Sequence, residues 1–178
     1  VLQSCPLFEG VEPGEIRAML QCMQARPASF ARGEAILQAD APAAYVGILL
    51  EGAAQVQRDD FYGHRTIRAA LGPGDLFGEA FACAGVRRLP VTVEALQPCR
   101  ALLIRLDRVI HTCPSACGFH NRVVLNLLRV MAARNLLLSQ KLEITSHRTI
   151  REKLMAYLMH EARQAGSDRF VIPFDRQG

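Results

Sequence analysis

The spacing of apolar residues changes twice along this chain of 178 residues. Near its start Val11, Ile16, Met19 and Leu20 recur at helical intervals after a Glu-Pro-Gly break, which predicts a short helix. From Ala28 to about Leu106 the pattern breaks into short apolar runs punctuated by glycine and proline: GEAILQAD, YVGILLEGAAQVQRDD, RTIRAALGPGD and VTVEALQPCRALLIRL. Strands of about four to eight residues, with turns at roughly ten-residue intervals, predict an all-β sandwich or barrel. Beyond Pro114 the period lengthens to that of a helix. Val124, Leu128, Met131, Asn135, Leu138 and Leu142 lie 4, 3, 4, 3 and 4 positions apart, a heptad ladder that asks for a partner helix. A second line, Val123, Leu127, Val130 and Leu137, occupies an adjacent face, so the helix is expected to be held between the β unit and something else. Asn135 interrupts the ladder with an amide. Two such amides bond across a dimer and fix its register, so the residue predicts a parallel homodimer; the alternative is a monomeric core helix that satisfies Asn135 within its own subunit.

After LEITS the helical pattern restarts. Ser146 or Thr149 can cap it, Glu152 follows Thr149 by three, and Ile150, Leu154, Tyr157 and Leu158 form a fresh apolar stripe. An end near Ala165-Gly166 is expected because glycine readily takes the left-handed closing conformation. RFVIPFDRQG then reads as a short strand opening a new element. Strand residues without a partner, together with a first residue that is Val, lead us to expect chain beyond both ends.

Composition is globular: 50% apolar and 21% charged. No apolar run reaches the roughly 18 residues that span a bilayer, and VLQSCPLFEG lacks the basic start and apolar stretch of a leader. A cytoplasmic protein with no membrane partner is expected. The net charge of +4 conceals an asymmetry, since residues 1–99 hold 8 Lys+Arg against 11 Asp+Glu and residues 100–178 hold 13 against 6. The basic half suits nucleic acid or, more plainly, a solvated Arg-rich helical surface. Six cysteines in a chain without secretion marks are expected to be reduced, and the Cys113/Cys117 pair alone does not specify a metal.

The densest chemistry lies in LGPGDLFGEAFACAGVRRLPV, residues 71–91. Glycine, acidic and small residues gather at Phe77, Gly78, Glu79 and Ala80, followed by Arg87 and Arg88 and then Leu89 and Pro90. In order and spacing, GEAILQAD (Gly33, Glu34), LLEGAAQV (Glu51, Gly52), LGPGDLFGEA and IPFDRQ resemble the cyclic-AMP receptor/fumarate-nitrate regulator (CRP/FNR) family of bacterial transcription regulators, and the resemblance runs over the whole chain. It implies an α+β fold: an antiparallel β-roll of the jelly-roll type over residues 1–110, a dimerisation helix over 111–144, and the beginning of a winged helix-turn-helix over 145–178. In the family's nucleotide-binding members, amides after Phe-Gly-Glu receive the phosphate, the Glu takes a ribose hydroxyl, and an Arg-Ser/Thr pair ten residues past that Glu neutralises the charge. Here that position is Leu89, followed by Pro90. A buried phosphate without a cation costs several kcal/mol in a low-dielectric roll, so cyclic AMP is not the expected ligand.

The expected effector is instead a small molecule, foremost a small anion, held by Phe77, Gly78, Glu79, Ala80, Arg87, Arg88, Leu89 and Pro90. Two alternatives stand beside it: a nucleotide module with an atypical phosphate cassette, and a haem or redox gas sensor. An iron–sulfur cluster would require a tight cysteine group that Cys5 and Cys22 do not form. Haem would require one of the scattered His64, His111, His120, His147 and His160 as ligand. No enzyme is expected, since a facial metal triad needs two histidines on a roll that contains only His64, and neither a nucleophile elbow nor a P-loop is present. By resemblance the partners are double-stranded DNA, with Arg176 on a phosphate, and RNA polymerase. The homodimer would form through Val124, Leu128, Met131, Asn135, Leu138 and Leu142.

Overall fold

The computed structural model describes residues 1–59, 61–110 and 118–172. Two compact units emerge, Val1–Met131 and Ala132–Gly178. The first opens with two 3-10 turns, Leu2–Ser4 and Pro6–Phe8, and the short helix α1, Pro13–Cys22. Pro13 occupies the first turn of α1, where its missing N–H costs nothing, and the Glu12 and Glu15 side chains close a capping box around that turn.

Among the described residues eight strands follow: β1 (Arg26–Phe30), β2 (Ala35–Leu37), β3 (Tyr45–Glu51), β4 (Ala54–Asp59), β5 (Arg65–Leu71), β6 (Leu76–Phe77), β7 (Thr92–Ala95) and β8 (Cys99–Arg105). They form two four-stranded sheets, β1-β8-β3-β6 and β2-β7-β4-β5, paired antiparallel throughout. This is the antiparallel roll of an α+β protein that the family resemblance implies, where strand spacing alone predicts a sandwich or barrel.

The alternation along β3 and β8 explains the layering, because successive side chains point to opposite faces of a strand. Val46, Ile48, Leu102 and Ile104 face a cluster that also holds Leu7, Phe8, Ile16, Met19 and Val109. Leu49 and Ala101 face a second cluster with Leu37, Phe77, Leu89 and Val93. The first sheet is therefore buried on both sides, by helices on one and by the second sheet on the other. Such strands read as continuous apolar runs rather than as clean alternation.

Helix α2 (Glu79–Cys83) follows β6, α3 (Leu106–Ile110) follows β8, and α4 runs from Gly118 to Ser146. Within the first unit α4 buries Val123, Asn126 and Leu127. The apolar line expected to pack on the β unit thus does so at its first two residues, Val123 and Leu127. In the second unit α5 (Ile150–Ala165) starts at Thr149, whose hydroxyl accepts from Glu152 N–H at 3.2 Å while the Glu152 carboxylate accepts from Thr149 N–H at 2.9 Å. It ends at Gly166 with φ +59°, the left-handed closure that glycine allows. The expected strand does not form over Arg169–Ile172. A β-strand exists only through a partner's ladder, and none of the described strands pairs with this stretch.

Candidate effector-binding site

The cradle is built where β6 turns into α2. Gly78 takes φ +77°, and a Cβ there would lie 2.8 Å from the Tyr45 carbonyl oxygen and 3.0 Å from Leu37 Cδ1. Glycine is therefore fixed by both conformation and space. Phe77 is buried with its ring laid on Gly47, where a Cβ would meet Phe77 Cε2 at 2.1 Å. The preceding turn is tied by Gly74 N–H to the Leu49 carbonyl at 2.7 Å and by the Asp75 carboxylate, which accepts from Gly72 N–H at 2.8 Å. Glu79, 1% exposed, and Ala82 are buried in α2, while Ala80 faces outward.

Across from this turn runs the 87–91 segment. Leu89 N–H donates to the Ala41 carbonyl and Asp40 N–H to the Leu89 carbonyl, both at 2.9 Å. These bonds hold the segment against residues 40–41 and direct the Leu89 side chain into the inter-sheet cluster, where it is 3% exposed. Arg88 pairs with Pro42 as an isolated bridge, and its guanidinium donates to the Asp40 carbonyl at 2.8 Å. Arg87 and Pro90 are exposed. Of the eight residues singled out from the sequence, Phe77 and Leu89 share one buried cluster and Glu79 is buried close to Phe77 in the chain, whereas Ala80, Arg87, Arg88 and Pro90 are exposed. Neither arginine occupies the inward position.

On the second sheet a polar chain connects neighbouring strands. Gln57, 2% exposed, accepts from Gln55 Nε2 at 2.8 Å and donates to Glu94 Oε2 at 2.7 Å, and Arg65 Nη1 stands 3.6 Å from the same carboxylate. The sequence reading did not single out these residues. Their common signal is the register Gln55↔Glu94 and Gln57↔Thr92, which requires the pairing itself.

Among the described residues no His, Cys, Asp or Glu group is gathered for a metal, and no helix is long and apolar enough to cross a membrane. Burial raises the thiols of Cys5 and Cys99 above the ordinary cysteine range, so both stay protonated near neutral pH. Cys113, Cys117, His111 and Arg176 lie outside the described residues.

A roll of eight antiparallel strands, with a Phe-Gly-Glu turn opening a short helix inside it, defines a protein of the cyclic nucleotide-binding class. The family profile described as the cyclic nucleotide-binding domain matches residues 27–114. The CRP-like cAMP-activated global transcriptional regulator of Mycobacterium tuberculosis is 30% identical over 79 residues, covering 44% of this chain and 34% of that protein, so the match spans about a third of the relative's length. The catabolite activator protein of Thermus thermophilus superposes with a TM-score of 0.67 at 21% identity, over 79% of this chain and 63% of that one. A regulatory subunit of a cAMP-independent protein kinase A from Trypanosoma brucei, solved as a glutamate-to-alanine, threonine-to-arginine, valine-to-alanine mutant bound to cAMP, superposes at 0.57 with 20% identity, over 72% and 44%. The β-roll is a cyclic nucleotide-binding domain of the CRP/FNR family, akin to those of CRP-like transcriptional regulators.

Proposed function

We propose that this chain is the effector-sensing part of a dimeric CRP/FNR-type transcription regulator whose roll takes a small effector other than cyclic AMP. One observation carries the reading: Leu89, ten positions past Glu79, is 3% exposed within an apolar cluster. At that position the family resemblance puts the arginine that neutralises the phosphate. An isobutyl group offers a phosphodiester anion neither charge nor donor, and desolvating the anion there costs several kcal/mol. Arg88 donates to the Asp40 carbonyl, and the exposed Arg87 is the cation that this reading assigns to a small anion at the Gly78–Ala80 turn. The kinase subunit named above supports the reading, since it is cAMP-independent and its cAMP-bound mutant carries a newly introduced arginine.

In this proposal occupancy of the roll shifts the packing of α4 against its copy through Val124, Leu128, Met131, Asn135, Leu138 and Leu142. That shift reorients the DNA-reading part that begins over 145–178 and includes Arg176, with RNA polymerase as a further partner. The coupling requires an effector with different affinity for two states of the helix pair.

A second reading, a nucleotide site with an altered phosphate cassette, is favoured by Glu79. Its carboxylate is buried at the turn, where the family resemblance places the ribose contact. A thermal-shift series with cyclic AMP, cyclic GMP, haem and small organic acids separates the two. At a hundredfold excess over Kd a true ligand stabilises by about 2.7 kcal/mol. The expected outcome is a rise in Tm with an organic acid and none with either nucleotide; a nucleotide-driven rise would establish the second reading instead.

A further inference from the structure

The first turns of α4 are gripped by the chain's own N-terminal segment. Asn126, 1% exposed, donates through Nδ2 to the carbonyls of Leu7 at 3.1 Å and Glu9 at 2.9 Å. Arg122, one turn earlier, donates to the Gly10 carbonyl, and Arg129, one turn later, reaches Asn126 Oδ1 at 3.5 Å. Residues 122, 126 and 129 fall on one stripe of a 3.6-residue helix. Beside that stripe Val123 and Leu127 bury against Leu7 and Phe8, which are at most 1% exposed, in the cluster on the helix-covered side of the first sheet. Apolar contacts alone tolerate sliding, because they are non-directional. Hydrogen bonds to three carbonyls do not, since each weakens steeply away from its axis.

The cradle sits on the opposite side of that sheet. Phe77 and Leu89 belong to the inter-sheet cluster, whereas Leu76, Val123 and Leu127 belong to the other. Phe77 and Leu76, neighbours on β6, belong to the clusters on the two sides of the sheet, while the Leu7–Gly10 segment touches α4 directly. We infer that Leu7–Gly10 is a clasp that fixes the axial register of α4 on the roll, with Asn126 as its positioning residue, and that disengaging it frees the helix while leaving the cradle intact. This is a second means of control over the helix, and it stands on the clasp geometry whether or not the effector reading holds.

Hydrogen exchange on the full chain tests it. Asn126→Asp removes both donors and sets a negative charge against carbonyl oxygens. Amides at 5–11 and 122–131 are then expected to exchange about tenfold faster or more, with β3, β8 and the 77–80 turn unchanged. Asn126→Leu, which keeps the bulk without the donors, should give the same pattern. If neither variant folds, Arg122→Ala, which removes only the Gly10 contact, should show that pattern at smaller amplitude. Unchanged exchange at 5–11, or an equal rise across all strands including the 77–80 turn, would overturn the inference.

Discussion

At position 89 the chain sets an isobutyl side chain against Leu37, Phe77 and Val93, and the backbone bonds to residues 40 and 41 keep it there. Truncation to alanine leaves a void among side chains that cannot all collapse, so Leu89→Ala should cost about 2–5 kcal/mol in urea unfolding. The turn that faces it is equally constrained. Gly78→Ala forces a left-handed backbone on a side chain that also meets the Tyr45 carbonyl at 2.8 Å, and a loss greater than about 1 kcal/mol is expected in the same measurement. The sequence disclosed both positions, because a glycine beside an acidic residue and a leucine at a fixed interval are local facts. It did not disclose that Arg88 is spent on the Asp40 carbonyl, which depends on residues 48 positions apart. Nor did it reveal Asn126: the heptad drew attention to Asn135, which is exposed, whereas Asn126 is satisfied by carbonyls 119 and 117 positions away.

Among the elements, α5 was the most legible. Its Thr149–Glu152 capping box and Gly166 closure are properties of the 149–166 stretch itself and formed as expected. Of the strand expected in RFVIPFDRQG, Arg169–Ile172 forms none and the rest lies outside the described residues; strands depend on partners and helices largely do not. Thr149→Ala should cost about 1 kcal/mol of stability. The Glu152 carboxyl is held below the ordinary carboxylate range, first by the Thr149 N–H and then by its side chain. A depressed folded-state value adds stability that is present above the unfolded-state value, about 4.3, and is lost as pH falls through the lower folded one. Helicity monitored by circular dichroism should therefore drop more steeply below about pH 4.3 in the parent than in Glu152→Gln. On α4 the apolar ladder is open to solvent in the single chain, with Leu128 62%, Leu138 60% and Leu142 69% exposed. If this is the dimer seam, Leu138→Asp with Leu142→Asp should give a monomer in sedimentation, and unchanged dimers would remove it from consideration.

On the scale of the whole molecule, the order helix, β unit, long helix, second helix could be read from hydrophobic period alone, because each period reports a local geometry. The division of eight strands into β1-β8-β3-β6 and β2-β7-β4-β5 could not, since β3 and β8 are apolar on both faces and such runs do not say which neighbour covers which side. That division puts Phe77 and Leu89 in the inter-sheet cluster and Val123 and Leu127 of α4 in the cluster on the other side of the first sheet. It also sets position 89 in one cluster with Phe77 of the glycine turn, where the family resemblance places an inward cation. Isothermal titration with cyclic AMP, run on the parent chain and on the Leu89→Arg, Pro90→Ser double variant, addresses this most directly. The parent is expected to release no binding heat, and the double variant to gain binding, because the nucleotide supplies the counter-charge its buried arginine needs. Binding by the parent that the double variant leaves unaltered would contradict the assignment of Leu89 as the residue that excludes cyclic AMP.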